Sequence, residues 1–104
     1  MEINSGATSF NAKVDVNGDI AVGGQRNAVI SIDKGGVLTT KGLSTTSGGF
    51  RSLEVEGVLN ANKITMKSGS GHTDYIRGSG TINADAVELG FYSNYTFSDV
   101  RLNV

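Results

Sequence analysis

The sequence of 104 residues contains no cysteine, no proline and no tryptophan. The lack of cysteine excludes a disulfide framework and a thiolate metal site, and the lack of proline excludes a collagen-like chain. Nine basic and ten acidic side chains give a formal net charge of −1, which argues against general binding to nucleic acid. The composition is rich instead in glycine, whose 15 residues are about twice the usual share.

The length predicts a single domain, residues 1–104, that is large enough for a continuous core. The longest uninterrupted apolar run covers only residues 28–30, so no segment is long enough to span a bilayer. An acidic residue stands at position 2 and no apolar stretch follows it, so we expect no secretory signal peptide. We therefore expect a cytoplasmic protein, with a fragment of an exported protein as the alternative.

An internal repeat of about 20 residues runs through the chain. Four glycines each precede a branched aliphatic residue by two positions: Gly18, Gly36, Gly57 and Gly80. A further aliphatic stands six residues before each of those aliphatics, at Val14, Ile32, Leu53 and Ile76. The segments 57–66 and 80–89 agree in residue class at nearly every position, and a fifth, degenerate unit places Val100 at the glycine position and Leu102 at the aliphatic position.

Within each unit, apolar and polar residues alternate with period two, as in residues 30–32 and 53–55, which is typical of strands with one buried face. No helical period is present and the intervening residues are poor helix formers. We predict an all-β, single-domain parallel β-helix (β-solenoid) of about five short coils, with aliphatics inside, glycines at the corners and outward loops at 44–49 and 67–72. The alternative is a β-sandwich, favoured by the hairpin turn signal at residues 17–18.

The repeat Gly-x-(Ile/Leu)-x-Ala-x-x-(Ile/Val)-x-(Leu/Met) resembles the coils of bactofilins, the bacterial polymer-forming β-helix proteins, and the haemagglutinin-type repeats of long secreted adhesins. The resemblance covers residues 53–66 and 76–89 well, and 14–22 and 30–43 loosely. It implies a right-handed β-solenoid and transfers no active site from either family. The proline-rich tails common in bactofilins are missing here.

Two motifs suggest chemistry at first sight. His72 is the only histidine, with Ser70 and Asp74 close in sequence, but neighbours in a flexible loop rarely hold the geometry of a catalytic triad, and we interpret His72 as a solvated loop residue. Residues 15–19 place oxygen ligands at alternate positions but lack the rest of the twelve-residue calcium loop and its bidentate glutamate. We interpret that segment as a turn and predict no metal.

Five acidic side chains could form an outward strip along one face: Asp33, Glu54, Glu56, Asp85 and Glu88. A polysaccharide lyase or glycosidase on a β-helix needs carboxylates that converge on one groove. The same residues serve equally as solubilising positions on the outer faces of strands. We therefore predict that the protein is not an enzyme and needs no cofactor.

The ends of the solenoid are the predicted interaction surfaces. A solenoid ends in unpaired strands and exposed aliphatics, and no segment here is suited to form a capping helix. Aromatic residues concentrated near the C-terminus either close the last coil or contact a partner. The candidate interaction residues are Phe10, Val14, Phe91, Tyr92, Tyr95, Phe97 and Val104.

These observations predict a structural or protein-interaction solenoid that associates with itself through its ends, as a homo-oligomer or polymer. The first alternative is a small inhibitor or adaptor, of the kind that phages and mobile elements encode, bound to a host protein complex. The second is an adhesive or carbohydrate-binding fragment of an exported fibre.

Overall fold

The computed structural model describes residues 1–3, 7–22, 28–45, 50–66, 73–89 and 94–104. These residues form β-strands and no helix. Six strands make one sheet: β1 (Glu2–Ile3), β3 (Lys13–Val22), β5 (Val37–Thr45), β7 (Val58–Met66), β9 (Thr81–Leu89) and β11 (Arg101–Asn103). Five strands make the other: β2 (Ala7–Phe10), β4 (Ala28–Ile32), β6 (Phe50–Val55), β8 (Thr73–Arg77) and β10 (Asn94–Ser98).

The chain winds as a parallel β-solenoid. Consecutive strands belong alternately to the two sheets, and the strands of each sheet follow one another in chain order. Every pairing in the described residues is parallel, whereas a sandwich of hairpins requires antiparallel pairs. The prediction of an all-β solenoid is confirmed, with one strand of each sheet in every coil, and the β-sandwich alternative is excluded.

The long strands bend in the middle, which divides the six-stranded sheet into two walls. In β5, Leu38 and Thr40 are buried, Lys41 is exposed, and burial resumes at Leu43 and Thr45. The inward positions therefore shift by one residue at Lys41. Strand β7 has nearly the same pattern of burial, so the two coils that contain β5 and β7 have three walls each.

Inward side chains stack in columns from coil to coil and form one continuous hydrophobic core. In the five-stranded sheet the central column is Ile30, Leu53 and Ile76. In the six-stranded sheet one column is Leu38, Leu59 and Ile82, and another is Ile20, Leu43 and Ile64. Because a single coil cannot cover its own apolar side chains, burial in each coil depends on its neighbours.

Three of the repeated glycines occupy the corner between the two sheets. Gly36, Gly57 and Gly80 stack on one another, and the N–H of Val58 donates to the Gly36 carbonyl at 3.0 Å while the N–H of Thr81 donates to the Gly57 carbonyl at 2.9 Å. A Cβ on Gly57 or Gly80 would collide with the carbonyl oxygen of the glycine in the preceding coil. Glycine is therefore required at these positions because the stacked corners leave no room for a Cβ, and not because the backbone has a positive φ.

The first repeat unit pairs with the next coil in a register that differs from the one predicted by aligning the glycines. Val14 lies opposite Leu38 and Ile20 lies opposite Leu43, although the glycine pattern had aligned Ile20 with Leu38. Gly18 is consequently not a corner residue but lies in the bend of β3, with φ of 137°. The alignment of the first unit was wrong, because Gly18 is not equivalent to the corner glycines, and a further irregularity of one residue lies between Val16 and Asp19.

The last unit has the predicted register. Leu102 lies opposite Ile82, and Val100 takes the corner position that glycine occupies in the preceding coils. Strand β5 extends into the loop predicted at 44–49, because Ser44 and Thr45 are its last two residues.

Candidate functional site

The C-terminal end of the solenoid exposes apolar side chains, two of which are the last members of core columns. Strands β10 and β11 are the edge strands at this end, and Phe97 and Leu102 lie over the buried Ile76 and Ile82 of the coil before. Among the residues that the structure describes, the large apolar side chains exposed at this end are those of Leu89, Phe97, Leu102 and Val104, with 39% to 71% of their surface accessible. We call them the terminal apolar patch.

The N-terminal end is better covered. Phe10 and Ile3 keep only 7% and 5% of their surface exposed, and Val14 and Val16 pack partly against the core. Strand β1 contributes to this cover, since Ile3 lies opposite Val22. Of the predicted interaction residues at this end, Phe10 is thus a core side chain and Val14 is half-buried.

Among the C-terminal interaction candidates, the structure places Phe97 and Val104 on the surface of the last coil. Tyr95 lies in β10, opposite Asp74 of β8. Phe91 and Tyr92 lie outside the described residues, as do Ser70 and His72. The alternative roles predicted for the aromatic cluster, closing the last coil or contacting a partner, therefore remain predictions.

The five acidic residues do not form the outward strip that seemed possible from the sequence. Glu54 lies in the five-stranded sheet, 3.5 Å from Arg77, whereas Glu88 lies in the other sheet, 2.9 Å from Lys63. Asp85 is at a bend, and the remaining two acids, Asp33 and Glu56, lie between strands. Throughout the described ranges, no three histidine, cysteine or acidic side chains come together as a metal site. Residues 15–19, interpreted as a turn, lie within β3 instead.

Glu56 is tied to the next corner. Its carboxylate accepts hydrogen bonds from the Ser79 hydroxyl and, at 3.2 Å, from the Ser79 backbone N–H. These bonds stabilise the charged form, so they hold the pKa of Glu56 below its ordinary value. The pairing links two coils at the same corner as the stacked glycines.

Replacing Ser79 by alanine is expected to raise the pKa of Glu56 toward the ordinary glutamate value, because the larger of the two causes is removed. Since the folded pKa is the lower one, the pairing stabilises the fold above the unfolded pKa and is lost as pH falls through the folded pKa. An NMR titration of the Glu56 side chain measures the midpoint. The control is Ser31→Ala in β4, and an unchanged midpoint in Ser79→Ala would contradict the assignment.

A row of amides crosses the outside of one wall. Asn103 donates through Nδ2 to Oδ1 of Asn83 at 2.9 Å, and Asn83 donates in the same way to Asn60 at 2.9 Å. Asn60 continues the row to Oγ1 of Thr39 at 3.4 Å. We call Thr39, Asn60, Asn83 and Asn103 the asparagine ladder. It arises because these residues hold the same station in successive coils.

A groove of about 350 Å³ runs beside the asparagine ladder. The ladder forms one side, and Asn62 and Asp85, at the bend of the long strands, line the other. Between them in sequence stand Ala61 and Ala84, which also line the groove, although Ala61 belongs to the core and Ala84 packs against it. The sequence contains these asparagines, but their separation of about one coil length conceals that they are neighbours.

Comparison of the chain with models of protein families, with curated proteins and with solved structures finds no match in any of the three. The structure therefore supports the solenoid that both resemblances imply, and no family match supports bactofilins or haemagglutinin repeats in particular. No helix in the described ranges is long and apolar enough to cross a membrane.

Proposed function

We propose that this protein is a non-catalytic structural solenoid that associates with a second copy of itself through its C-terminal end. The observation that carries the proposal is the terminal apolar patch, in which Phe97 and Leu102 end two columns of the core on the last coil and remain exposed. Their partners in the preceding coil, Ile76 and Ile82, are buried beneath them. A second molecule can supply that cover.

The end strands support the same proposal. Strands β10 and β11 have a hydrogen-bonded neighbour on one side only, so their outer edges present backbone groups that another strand can pair with. Burial of the patch removes apolar surface from water, which is the main favourable contribution to protein association. Together these two features combine hydrophobic contact with backbone pairing at one surface.

The difference between the two ends favours a closed dimer over a growing filament. A filament joins the C-terminal end of one copy to the N-terminal end of the next. Phe10 and Ile3 at the N-terminal end are already buried, whereas the terminal apolar patch is exposed. Contact between two C-terminal ends covers the larger apolar surface and forms a two-fold interface, in which the same patch serves both copies.

Placing a charge in the patch is expected to weaken the association. Val104→Lys should lower the association constant at least tenfold without unfolding the protein, because a lysine is costly in a desolvated contact but not on an open end. Light scattering over a hundredfold range of concentration measures the change. Asn62→Lys adds the same charge at an exposed site in the middle of the stack and should leave the molecular mass unchanged.

The absence of native cysteine allows a second test that reports which ends meet. With Val104→Cys, a short bis-maleimide cross-linker should give a covalent dimer and no larger species. Ala7→Cys in β2, at the other end of the stack, should remain monomeric under the same treatment. Cross-linking through Ala7→Cys instead would contradict contact between C-terminal ends. A wild-type protein that is monomeric at every concentration would overturn self-association and favour the inhibitor or adaptor hypothesis.

A further inference from the structure

We propose that the groove beside the asparagine ladder binds a linear, neutral polysaccharide. The site lies on a side wall of the solenoid and is separate from most of the terminal apolar patch, so it does not depend on self-association. Four properties of the groove support this ligand: its hydrogen-bonding groups, its repeat, its charge and its shape.

The hydrogen-bonding groups match hydroxyls. A primary amide has two N–H donors and an oxygen that can accept twice, so each amide keeps capacity beyond its bond along the ladder. A sugar hydroxyl both donates and accepts, as an amide does. The bonds between Asn60, Asn83 and Asn103 also fix the amide orientations before any ligand arrives, which reduces the ordering cost of binding.

The repeat of the ladder favours a glycan over a peptide. Adjacent strands in a sheet are about 4.8 Å apart, so one amide is offered at about that interval along the groove. This interval is comparable with the length of one sugar residue in an extended chain. An extended peptide advances about 3.3 Å per residue, and its successive amides would fall out of step with the ladder.

Charge and shape complete the argument. The described residues that line the groove are threonines, asparagines, alanines, Val104 and one residue with an acidic side chain, Asp85. None of these described lining residues is basic, and the carboxylate of Asp85 repels a polyanion such as nucleic acid or an acidic glycan. The groove crosses several coils, from Thr39 to Asn103, which suits an elongated ligand, and Asp85 can accept hydrogen bonds from ring hydroxyls on the opposite side.

The test is an NMR titration of the ¹⁵N-labelled protein with cello-oligosaccharides of increasing length. We expect shifts of the side-chain amides of Asn60 and Asn83, and an affinity that rises with chain length until the ligand spans the four ladder positions. None of the described lining residues is aromatic, so without a ring for a sugar to stack upon we expect binding in the millimolar range. Glucose alone should give little or no shift.

The variants identify the groove. Asn83→Ala should weaken binding of the longest oligosaccharide about fivefold to tenfold, the effect of losing one or two hydrogen bonds. Thr65→Ala in the other half of β7 lies outside the groove and should have no effect. Asp85→Ala serves as a second variant should the ladder prove necessary for folding, because Asp85 is exposed at the bend, and loss of its accepting oxygens should also weaken binding.

Three results would overturn the proposal: no shift at any oligosaccharide length, shifts confined to residues outside the groove, or affinity unaffected by both variants. Extended peptides that displace the oligosaccharide and bind more tightly would likewise overturn it and identify a peptide groove. Because the titration can be repeated with Phe97→Lys, a change in the terminal apolar patch at a residue that is not part of the groove lining, failure of the groove and failure of self-association are distinguishable.

Discussion

Gly57→Ala is expected to destabilise the protein by about 3 kcal/mol or more, which is among the most damaging effects of a single substitution. A Cβ at this corner would meet the carbonyl oxygen of Gly36 and lie 2.5 Å from that of Asp33. Both obstacles are hydrogen-bonded backbone atoms: the Gly36 carbonyl accepts from the N–H of Val58 in the next coil, and the Asp33 carbonyl accepts from the N–H of Gly36 in the same turn. Relief requires the corners to move apart, and that movement lengthens the bonds on either side. Urea unfolding followed by circular dichroism measures the loss.

Gly42→Ala is the matched control. Its Cβ would lie 2.9 Å from Oδ1 of Asp19, and a carboxylate at the end of an exposed side chain can rotate away. The expected change in the free energy of unfolding is less than about 1 kcal/mol, the usual range for substitutions away from strained sites. Equal losses at Gly57 and Gly42 would show that packing between corners is not what selects glycine.

The second large effect is expected at Leu59. Its side chain is fully buried and lies between Leu38 and Ile82 in the adjacent coils. Truncation to alanine should cost about 2–5 kcal/mol through lost burial and the cavity left behind. Against a total stability of about 5–15 kcal/mol for a typical domain, this is a large fraction. Chemical denaturation of both proteins in parallel gives the difference.

Val58→Ala is the comparison for Leu59→Ala, because it removes aliphatic carbons from the neighbouring residue, which points to the opposite side of the same strand and is half-buried. The expected loss is about 1 kcal/mol or less. Asn60 is a poorer comparison, since its amide takes part in the asparagine ladder. Similar losses at Val58 and Leu59 would contradict the inward orientation of Leu59.

Much of the fold can be predicted from the sequence because its signals are local. Alternation in residues 30–32 and 53–55 marks strands with one buried side, and both segments lie in β4 and β6. The spacing from Leu59 to Ile82 equals one coil, and the two residues are partners across β7 and β9. Stacking of equivalent coils turns a repeat in the chain directly into a column in the core.

The register of the first coil could not be obtained in the same way. Val14 and Ile20 are six residues apart, whereas their partners Leu38 and Leu43 are five apart. The extra residue lies in the bend around Gly18, where pairing is interrupted. A glycine two positions before an aliphatic residue is a short local pattern, and it does not specify which column of the core the aliphatic side chain joins. Hydrogen bonding to the next coil decides that.

The sequence by itself determined that this chain is all-β, that it repeats about every 20 residues, and that apolar residues of segments such as 30–32 and 53–55 alternate into its core, because strand periodicity and repeat length are properties of neighbouring residues. Parallel pairing, which distinguishes the solenoid from the β-sandwich, was decided by the tertiary structure. Only the tertiary structure decided that Phe10 is buried while Phe97 and Leu102 are exposed, and that Asn60, Asn83 and Asn103 form one ladder. Exposure depends on whether another coil lies beyond a residue. The asparagine ladder depends on the pairing of residues that are about 20 positions apart in the chain. No local sequence pattern indicates either condition.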